Sequence, residues 1–264
     1  MKRMIIFSHG DKGGVGKSVV AALLVDMALQ RFGKASLIEG DTTTPDVYGR
    51  YSDYDMVLSA ALPLNLAGDA STAIANLAGW LENSNQKDHA VTVVNLPANA
   101  SETLDGLADL LIPVCEDLDY EVAACYSIGK GADAANSLKR SLEDGFLSRL
   151  DPERRMVVVP EFFGAMNSFV WFTRPDAGAY RYLQTVVPKL EPTPVADLIF
   201  KTGGAFSDME CHKPDGFGVY HTHALRRWLQ ASHAALAPIF PASEPGSCGV
   251  GEQGEEEGGH HDDV

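Results

Sequence analysis

A glycine-rich stretch near the start of the chain carries the residues best suited to chemistry. Residues 9–18 run His-Gly-Asp-Lys-Gly-Gly-Val-Gly-Lys-Ser, with two lysines and a serine hydroxyl among four glycines. Glycines let backbone N–H groups turn inward around phosphate oxygens, because no Cβ blocks close approach or positive φ. In such a loop Lys17 reaches the β- and γ-phosphates of a nucleotide, and the Ser18 hydroxyl ligates Mg²⁺. The predicted phosphate-binding residues are Gly13, Gly14, Val15, Gly16, Lys17 and Ser18.

This stretch departs from the strict GxxxxGK[ST] pattern at one position, because Asp11 occupies the place of the first glycine. The remaining KGGVGKS has six specified positions. At average residue usage a chance match is on the order of one in a million or rarer per position. The alternative, a glycine-rich turn with incidental lysines, is therefore disfavoured.

The elements around the loop alternate between strand and helix. Short, continuous apolar runs suited to buried parallel strands are Met4–Ser8, Ala35–Glu39, Val91–Asn95, Leu110–Val114 and Met156–Pro160. A helix is predicted over Lys17–Phe32 with Gly33 as its stop, and a final helix over residues 216–237, ended by Pro238. This alternation predicts an α/β fold, with a doubly wound, mostly parallel sheet and helices on both faces.

Composition limits the classes of protein to consider. The 264 residues suffice for one large α/β domain, and a 45% apolar content excludes wholesale disorder. No apolar stretch of 18 residues or secretory leader is present, so a cytoplasmic chain is expected. No membrane binding is expected either, because an anionic bilayer would repel the Gly-, Glu- and Asp-rich end. The four cysteines form no CxxC pair, which argues against a zinc site or a disulfide scaffold.

The formal charge of −15 is unevenly distributed. Residues 243–264 hold seven acidic residues and no lysine or arginine. A Gly- and Glu-rich end of this kind cannot bury a core. We therefore expect one domain over residues 1–242 and a disordered acidic tail over residues 243–264.

With KGGVGKS and the second lysine Lys12, the sequence resembles the deviant Walker A motif of the ParA/MinD superfamily of P-loop ATPases. It is nearest the ParA-like branch that serves plasmid partition, stability or mobilisation. The resemblance implies a SIMIBI-like P-loop NTPase fold with ATP and Mg²⁺ as ligands. It also implies a face-to-face homodimer on ATP binding, in which Lys12 reaches the partner's phosphates. A second cation would neutralise charge between the phosphates only after dimerisation.

Residues 37–46, Leu-Ile-Glu-Gly-Asp-Thr-Thr-Thr-Pro-Asp, resemble the superfamily's switch I, which usually contains D-x-D. By that match Asp41 orients the attacking water and belongs to the metal site, while Glu39 replaces the first aspartate. A carboxylate near a γ-phosphate can hold a water in line for attack. The alternative is that Asp41 is a turn or N-cap residue, since Asp-Thr-Thr-Thr-Pro is good turn chemistry.

Residues 91–99 resemble switch II, and Asn95 occupies the position that normally supplies the Walker B aspartate. An amide can hydrogen-bond a Mg²⁺-bound water but brings no charge, so weaker metal affinity or slower hydrolysis is expected. The alternative is that Asn95 only ends a strand. Residues 185–192 resemble the late strand and loop that pack on adenine, which makes Pro188 a candidate for the base pocket; an ordinary proline-rich loop is the alternative.

The resemblance, which covers roughly residues 1–205, implies a slow ATPase stimulated by a partner protein, with Lys12, Lys17 and Asp41 as catalytic residues. Plasmid or DNA partition, stability or mobilisation is the expected role. Non-specific DNA is a candidate partner, since such binding uses scattered basic side chains. The candidates are Arg154, Arg155, Lys201, Lys213, Arg226 and Arg227. The alternative for these residues is a solvated surface with paired charges.

Other function classes remain in competition. A nucleotide-binding regulator that positions a protein cargo with little hydrolysis is kept open by Asn95. A biosynthetic P-loop ligase or small-molecule kinase would not need Lys12. An iron–sulfur reductase is disfavoured, because it needs a cysteine soon after switch II and none lies between Asn95 and Pro113.

Overall fold

A parallel sheet forms the centre of the computed structural model, which describes residues 2–10, 12–64, 69–83, 89–98 and 100–241. Its strands are β1 (Arg3–His9), β2 (Ala35–Glu39), β3 (Val57–Ala61), β4 (Val91–Asn95), β5 (Tyr120–Ser127), β6 (Arg155–Pro160) and β7 (Leu183–Val187). Across the described residues the seven strands lie in the order β3-β2-β4-β1-β5-β6-β7, and each neighbouring pair is parallel. The acidic tail predicted over residues 243–264 lies outside the described residues.

Helices connect these strands and cover the sheet. They are α1 (Lys17–Phe32), α2 (Asp46–Tyr51), α3 (Ala70–Asn83), α4 (Ala100–Asp117), α5 (Ala132–Glu143), α6 (Val170–Thr173), α7 (Thr193–Lys201) and α8 (Val219–Leu236). Met4 and Ile6 of β1 pack in one core cluster with α1, α2, α7 and α8, while Ile5 and Phe7 pack in a second with α3, α4 and α5. Side chains of a strand alternate between faces, so both faces of β1 are covered. The predicted doubly wound α/β fold is confirmed.

The helix α1 begins and ends where the sequence predicts. Its apolar residues Leu23, Leu24 and Val25 are buried without measurable exposure. Gly33 adopts φ 75°, in the left-handed region, and its N–H donates to the Leu29 carbonyl at 2.8 Å. A left-handed glycine that satisfies one of the last free carbonyls is a common way to end a helix. The helix is therefore fixed at the end remote from the glycine loop.

The strand predicted over Leu110–Val114 is wrong, because this run lies inside α4. Leu111 and Cys115 are buried at helical spacing, whereas Leu110 is 49% exposed. A five-residue apolar run does not distinguish a strand from a stretch of helix. The strand beside β1 is instead β5, which contains alanines and Glu121, residue types that are depleted in strands. The predicted final helix is confirmed as α8, followed by a 3₁₀ turn that contains Pro238.

Candidate nucleotide-binding site

The carboxyl ends of β1, β2 and β4 meet at one edge of the sheet. In the strand register Asn95 is the partner of Ser8 on one side and of Glu39 on the other. Ligands of open α/β sheets bind outside this edge. The three segments that contain the predicted functional residues each follow one of these adjacent strands. They therefore lie together at this edge of the sheet.

In the glycine loop between β1 and α1, a Cβ at either of two glycines would crowd neighbouring atoms. Gly10 has φ 152°, and a Cβ there would lie 2.6 Å from the Ser127 carbonyl oxygen. Gly16 has φ 91°, and a Cβ there would lie 3.3 Å from the Phe162 ring. Gly16 is also the N-cap of α1, which has no side-chain cap and no acidic residue in its first turn. The first turn of α1 thus presents backbone N–H groups and positive partial charge, as an anion site requires.

Lys17 lies inside this loop and is only 8% exposed. Its ammonium group donates to the Lys12 carbonyl at 2.8 Å, so the side chain folds back across the loop. The Ser8 hydroxyl donates to the Lys17 carbonyl at 2.8 Å and ties the start of α1 to the end of β1. Ser18, the next residue, is half-buried at the same end of α1. Asp11 lies outside the described residues.

Lys12 points away from this cradle. Its ammonium group lies 3.1 Å from Asp133 Oδ2 on α5, and the two side chains are 46% and 84% exposed. Exposed ion pairs of this kind contribute about 0–1 kcal/mol. Lys12 is therefore held within its own chain by a contact that is weak enough to exchange for another.

Glu39 is the buried carboxylate of the site. Oε1 accepts hydrogen bonds from the Asn95 amide at 2.8 Å and from the Asp41 N–H at 3.1 Å. Oε2 accepts from the N–H groups of Val47 at 3.2 Å and Tyr48 at 3.3 Å. Burial raises the pKa of Glu39 to about 7, although these four hydrogen bonds lower it. The donors to this carboxylate thus lie on the segment from Asp41 to the first turn of α2 and at the end of β4.

Asp41 lies at the start of the loop between β2 and α2. Its Oδ1 accepts from the Thr43 N–H, the Thr43 hydroxyl and the Thr44 N–H, while Oδ2 accepts from the Thr44 hydroxyl at 3.0 Å. Partial burial tends to raise the pKa of Asp41, but these hydrogen bonds outweigh it and lower the pKa. In this structure Asp41 therefore has the turn geometry that was the alternative to its catalytic role. Oδ2, with a single donor, retains capacity for a water or a cation.

Asn95 ends β4 and is 1% exposed. Its Nδ2 donates to Glu39, whereas its Oδ1 is a buried oxygen with no hydrogen-bond partner among the described residues. Buried polar atoms normally have partners, so such an atom requires an explanation. Mg²⁺ takes oxygen ligands and keeps several waters of its own. The predicted metal residues Ser18, Asp41 and Asn95 lie on segments that meet at one edge, and the unpartnered oxygen fits a metal-bound water or the ion.

An apolar cavity of about 320 Å³ opens beside the glycine loop. Its lining includes Gly16, Pro160, Phe162, Val187 and Pro188. The Trp228 indole N–H donates to the Pro188 carbonyl at 2.9 Å, which fixes the loop after β7. This volume is near the lower end of the range for ligand pockets and suits one aromatic base. Pro188, the candidate for the base pocket, thus lies in the wall of a cavity that Gly16 of the glycine loop also lines.

The proposed DNA-contacting residues are partly engaged within the chain. Arg226 donates hydrogen bonds to both carboxylate oxygens of Glu210, and Arg154 forms an ion pair with Glu121. Arg155 donates to the carbonyls of Arg181 and Leu147. Arg227, Lys201 and Lys213 are exposed.

The described residues offer neither a cluster of metal-binding side chains nor a membrane-spanning helix. No group of three or more His, Cys, Asp and Glu side chains in these residues could hold a metal ion. None of their helices combines the length and apolar character needed to cross a bilayer.

Comparisons with known proteins identify relatives of the sequence and of the fold. No family model matches the chain. Over 149 residues it is 27% identical to Protein MobD of Acidithiobacillus ferrooxidans, a match that covers 54% of this chain and 59% of MobD. The chain therefore matches less than two thirds of the length of that relative.

Two solved structures share the fold. A chain of the MinC:MinD cell division complex of Aquifex aeolicus matches with a TM-score of 0.50 and 12% identity, over 92% of this chain and 98% of the other. The signal recognition particle receptor FtsY of Elizabethkingia anophelis matches with a TM-score of 0.50 and 13% identity, over 87% and 66%. At these identities the two likenesses show the fold alone, and they agree with the predicted α/β architecture.

Sequence reasoning misses several residues of the site. The sequence identifies Glu39 only as a substitute for an aspartate and does not reveal its four hydrogen bonds. Phe162 and Asp133 are not singled out for the site, because neither lies in a motif. Phe162, 47% exposed, could have been noticed as an aromatic residue directly after a predicted strand end.

Proposed function

We propose that this chain binds ATP with Mg²⁺ at the carboxyl edge of its sheet, dimerises around the nucleotide and hydrolyses it slowly. One observation carries the proposal: the uncapped, glycine-built start of α1 lies directly beside a base-sized apolar cavity. Gly16 belongs to both. A nucleotide combines a flat apolar base with an anionic phosphate chain, and the two halves of the site match those two parts.

Each residue has a role that follows from its chemistry. The loop N–H groups and Lys17 bind the β- and γ-phosphates and stabilise the charge that develops on them during transfer. When it is bound, Mg²⁺ neutralises phosphate charge. Ser18 and Asn95 Oδ1 would hold the ion, with Asp41 beside them. The neutral Asn95 provides less attraction for the ion than an aspartate, which fits slow turnover.

Hydrolysis requires a water in line with the γ-phosphorus and a group to orient it. Asp41 holds that water through Oδ2, and the water attacks as the bond to the leaving ADP oxygen breaks. The hydrogen bonds from Thr43 and Thr44 keep Asp41 ionised and turned into its own loop. Rearrangement of this loop is therefore part of the activation step, which a partner protein would promote.

Dimerisation supplies the second lysine. Lys12 leaves Asp133 and reaches the phosphates of the partner subunit, so ATP binds the dimer better than the monomer and shifts the equilibrium toward it. The wider role proposed is in plasmid or DNA partition, stability or mobilisation. The 27% identity to MobD fits the mobilisation branch. Exposed Arg227, Lys201 and Lys213 are the candidates for salt-dependent contact with DNA.

A second candidate function is a nucleotide-dependent regulator with little hydrolysis. Two observations favour it: Asn95 is uncharged, and both oxygens of Asp41 are engaged by threonines. The two functions share the same binding step. Multiple-turnover phosphate release distinguishes them, since the regulator would bind ATP without releasing phosphate.

The binding step is tested by calorimetric titration with ATP in the presence of Mg²⁺. We expect saturable binding by the wild-type chain and none by Lys17→Ala. Lys34→Ala is the matched control, because Lys34 is exposed and precedes β2 at the opposite edge of the sheet. Retained ATP affinity in Lys17→Ala would refute the assignment of the phosphate site.

A further inference from the structure

Glu39 binds both ends of the loop that carries Asp41. Its Oε1 accepts the Asp41 N–H at the start of the loop, and its Oε2 accepts the N–H groups of Val47 and Tyr48 at the end. These last two belong to the first turn of α2, whose N-cap is Pro45 and has no side-chain acceptor. Helix starts leave such N–H groups without partners inside the helix. The Glu39 carboxylate therefore acts as the N-terminal cap of α2. It also links the two ends of the loop through one side chain.

The same carboxylate determines how the Asn95 amide is turned. The two ends of an amide group have similar shapes, so their orientation follows from their hydrogen-bond partners. Backbone N–H groups donate to both oxygens of Glu39, so its carboxyl group acts as an acceptor here and faces the NH₂ end of Asn95, whose Nδ2 lies 2.8 Å from Oε1. Oδ1 consequently points away from Glu39, and it is the buried oxygen that lacks a partner among the described residues.

We propose that Glu39 is a positioning residue, whose four accepted hydrogen bonds hold the Asp41 loop and turn the Asn95 oxygen toward the metal side of the site. This inference rests on the proposed function. It extends the expectation that Glu39 replaces the first aspartate of switch I, because the four hydrogen bonds that Glu39 accepts give it a structural role within the site. Glu39 and Asn95 act as a unit. The carboxylate of Glu39 faces the Asp41 loop, and the neutral amide oxygen of Asn95 faces the ion.

The pair predicts distinct effects for two single substitutions. In Glu39→Gln, the NH₂ group of the introduced glutamine needs an acceptor, so we expect the Asn95 amide to rotate by 180° and turn its Oδ1 toward residue 39. The Asn95 NH₂ group then lies on the metal side. The Asp41 N–H also loses its acceptor. In Glu39→Asp, the charge is kept but the side chain is one methylene shorter, so the contacts to Val47 and Tyr48 are lost while the Asn95 amide keeps its orientation.

Exchanging the two side-chain types is the decisive variant. In Glu39→Gln combined with Asn95→Asp, the introduced glutamine amide can donate an N–H to one oxygen of the introduced carboxylate. The second oxygen of that carboxylate faces the metal side. Both ends of a carboxylate are oxygens, so rotation of the group cannot place an NH₂ there. The Asn95→Asp substitution alone instead sets two carboxylates against each other, which is unfavourable.

The loop is tested by amide hydrogen exchange on nucleotide-free protein. One charge-assisted hydrogen bond is worth about 1.5–3 kcal/mol, so its loss corresponds to about tenfold or more in exchange rate. We expect this acceleration at Asp41 in Glu39→Gln, and at Val47 and Tyr48 in Glu39→Asp. Asp26→Asn is the matched control, because Asp26 is an equally buried carboxylate that binds Ser207 instead. Unchanged exchange at all three amides in both variants would overturn the positioning role.

The orientation of Asn95 is tested by the ratio of ATP dissociation constants without and with Mg²⁺. We expect this ratio to fall by about tenfold in Glu39→Gln, on the scale of one lost charge-assisted contact, and to recover in the double variant. An unchanged ratio in Glu39→Gln, or no recovery in a folded double variant, would overturn the inference. Failure of the wild-type chain to bind ATP would refute the proposed function alone, since the exchange comparison uses no ligand and still decides the role of Glu39 in the loop.

Discussion

The cavity beside Gly16 gives the most quantitative prediction, because it separates recognition of the base from recognition of the phosphates. Ala196 on α7 is half-buried and lines the cavity together with Phe162 and Pro188. Replacing it by phenylalanine adds a ring to a space of about 320 Å³. The ring would occupy the volume that a base needs, and we expect the backbone of the glycine loop to keep its geometry.

The size of the effect follows from the contacts that the base would lose. Drug-sized ligands gain about 0.3 kcal/mol per non-hydrogen atom, and an adenine ring system has about ten such atoms. Complete loss of the base contacts therefore costs about 3 kcal/mol, or roughly a hundredfold in the dissociation constant for ATP. Tripolyphosphate has no base, so its affinity should be the same for the wild-type chain and Ala196→Phe.

Calorimetric titration with both ligands, in the presence of Mg²⁺, measures this difference directly. The matched control is Ala75→Phe, an exposed position on α3, which packs on the other face of the sheet. Unchanged ATP affinity in Ala196→Phe would show that the base lies elsewhere. An equal loss for ATP and tripolyphosphate would show that the substitution acts through the loop, and the reasoning about the cavity would be refuted.

Three further predictions concern the dimer, the chemistry and the core. Lys12→Ala should retain ATP binding by the monomer but lose ATP-dependent dimerisation in sedimentation velocity runs, and an unchanged profile would refute a role across the dimer. Asp41→Ala should bind ATP and accumulate as an ATP-bound dimer with little phosphate release, whereas wild-type turnover would remove Asp41 from the mechanism. Leu23→Ala, at a fully buried position of α1, should lower the free energy of unfolding by about 2–5 kcal/mol in urea titrations. A loss below about 1 kcal/mol would contradict the packing described for α1.

Much of the fold follows from the sequence because its central strands are buried on both faces, unlike the edge strands β3 and β7. Continuous apolar runs identify β1, β2, β4 and β6 within a residue or two, and Gly33 identifies the end of α1. The assignment fails at Leu110–Val114, where an apolar run belongs to one face of a helix. It also fails at β5, where Glu121 and the alanines Ala123 and Ala124 interrupt the run of strand-favouring residues.

Features of the site that depend on local backbone conformation can be predicted from the sequence. Features that depend on contacts between distant residues cannot. Glycine positions and the lysine spacing reveal the phosphate loop, since their conformational demands are local. The contact of Lys12 with Asp133 joins residues far apart in the sequence, and so does the hydrogen bond of Asn95 to Glu39. Motifs alone do not predict either contact. The Asp41 turn is an alternative that the neighbouring threonines suggest, and the structure shows that turn.

The central claim, that the loop at the start of α1 is a nucleotide phosphate site, is tested most directly by amide NMR of the wild-type chain titrated with ATP and Mg²⁺. We expect large shifts for the N–H signals of Gly13, Gly14, Gly16, Lys17 and Ser18, and smaller shifts around the cavity at Phe162. Tripolyphosphate should move the first group alone. If saturating ATP left the signals of residues 13–18 in place, the loop would not be a phosphate site.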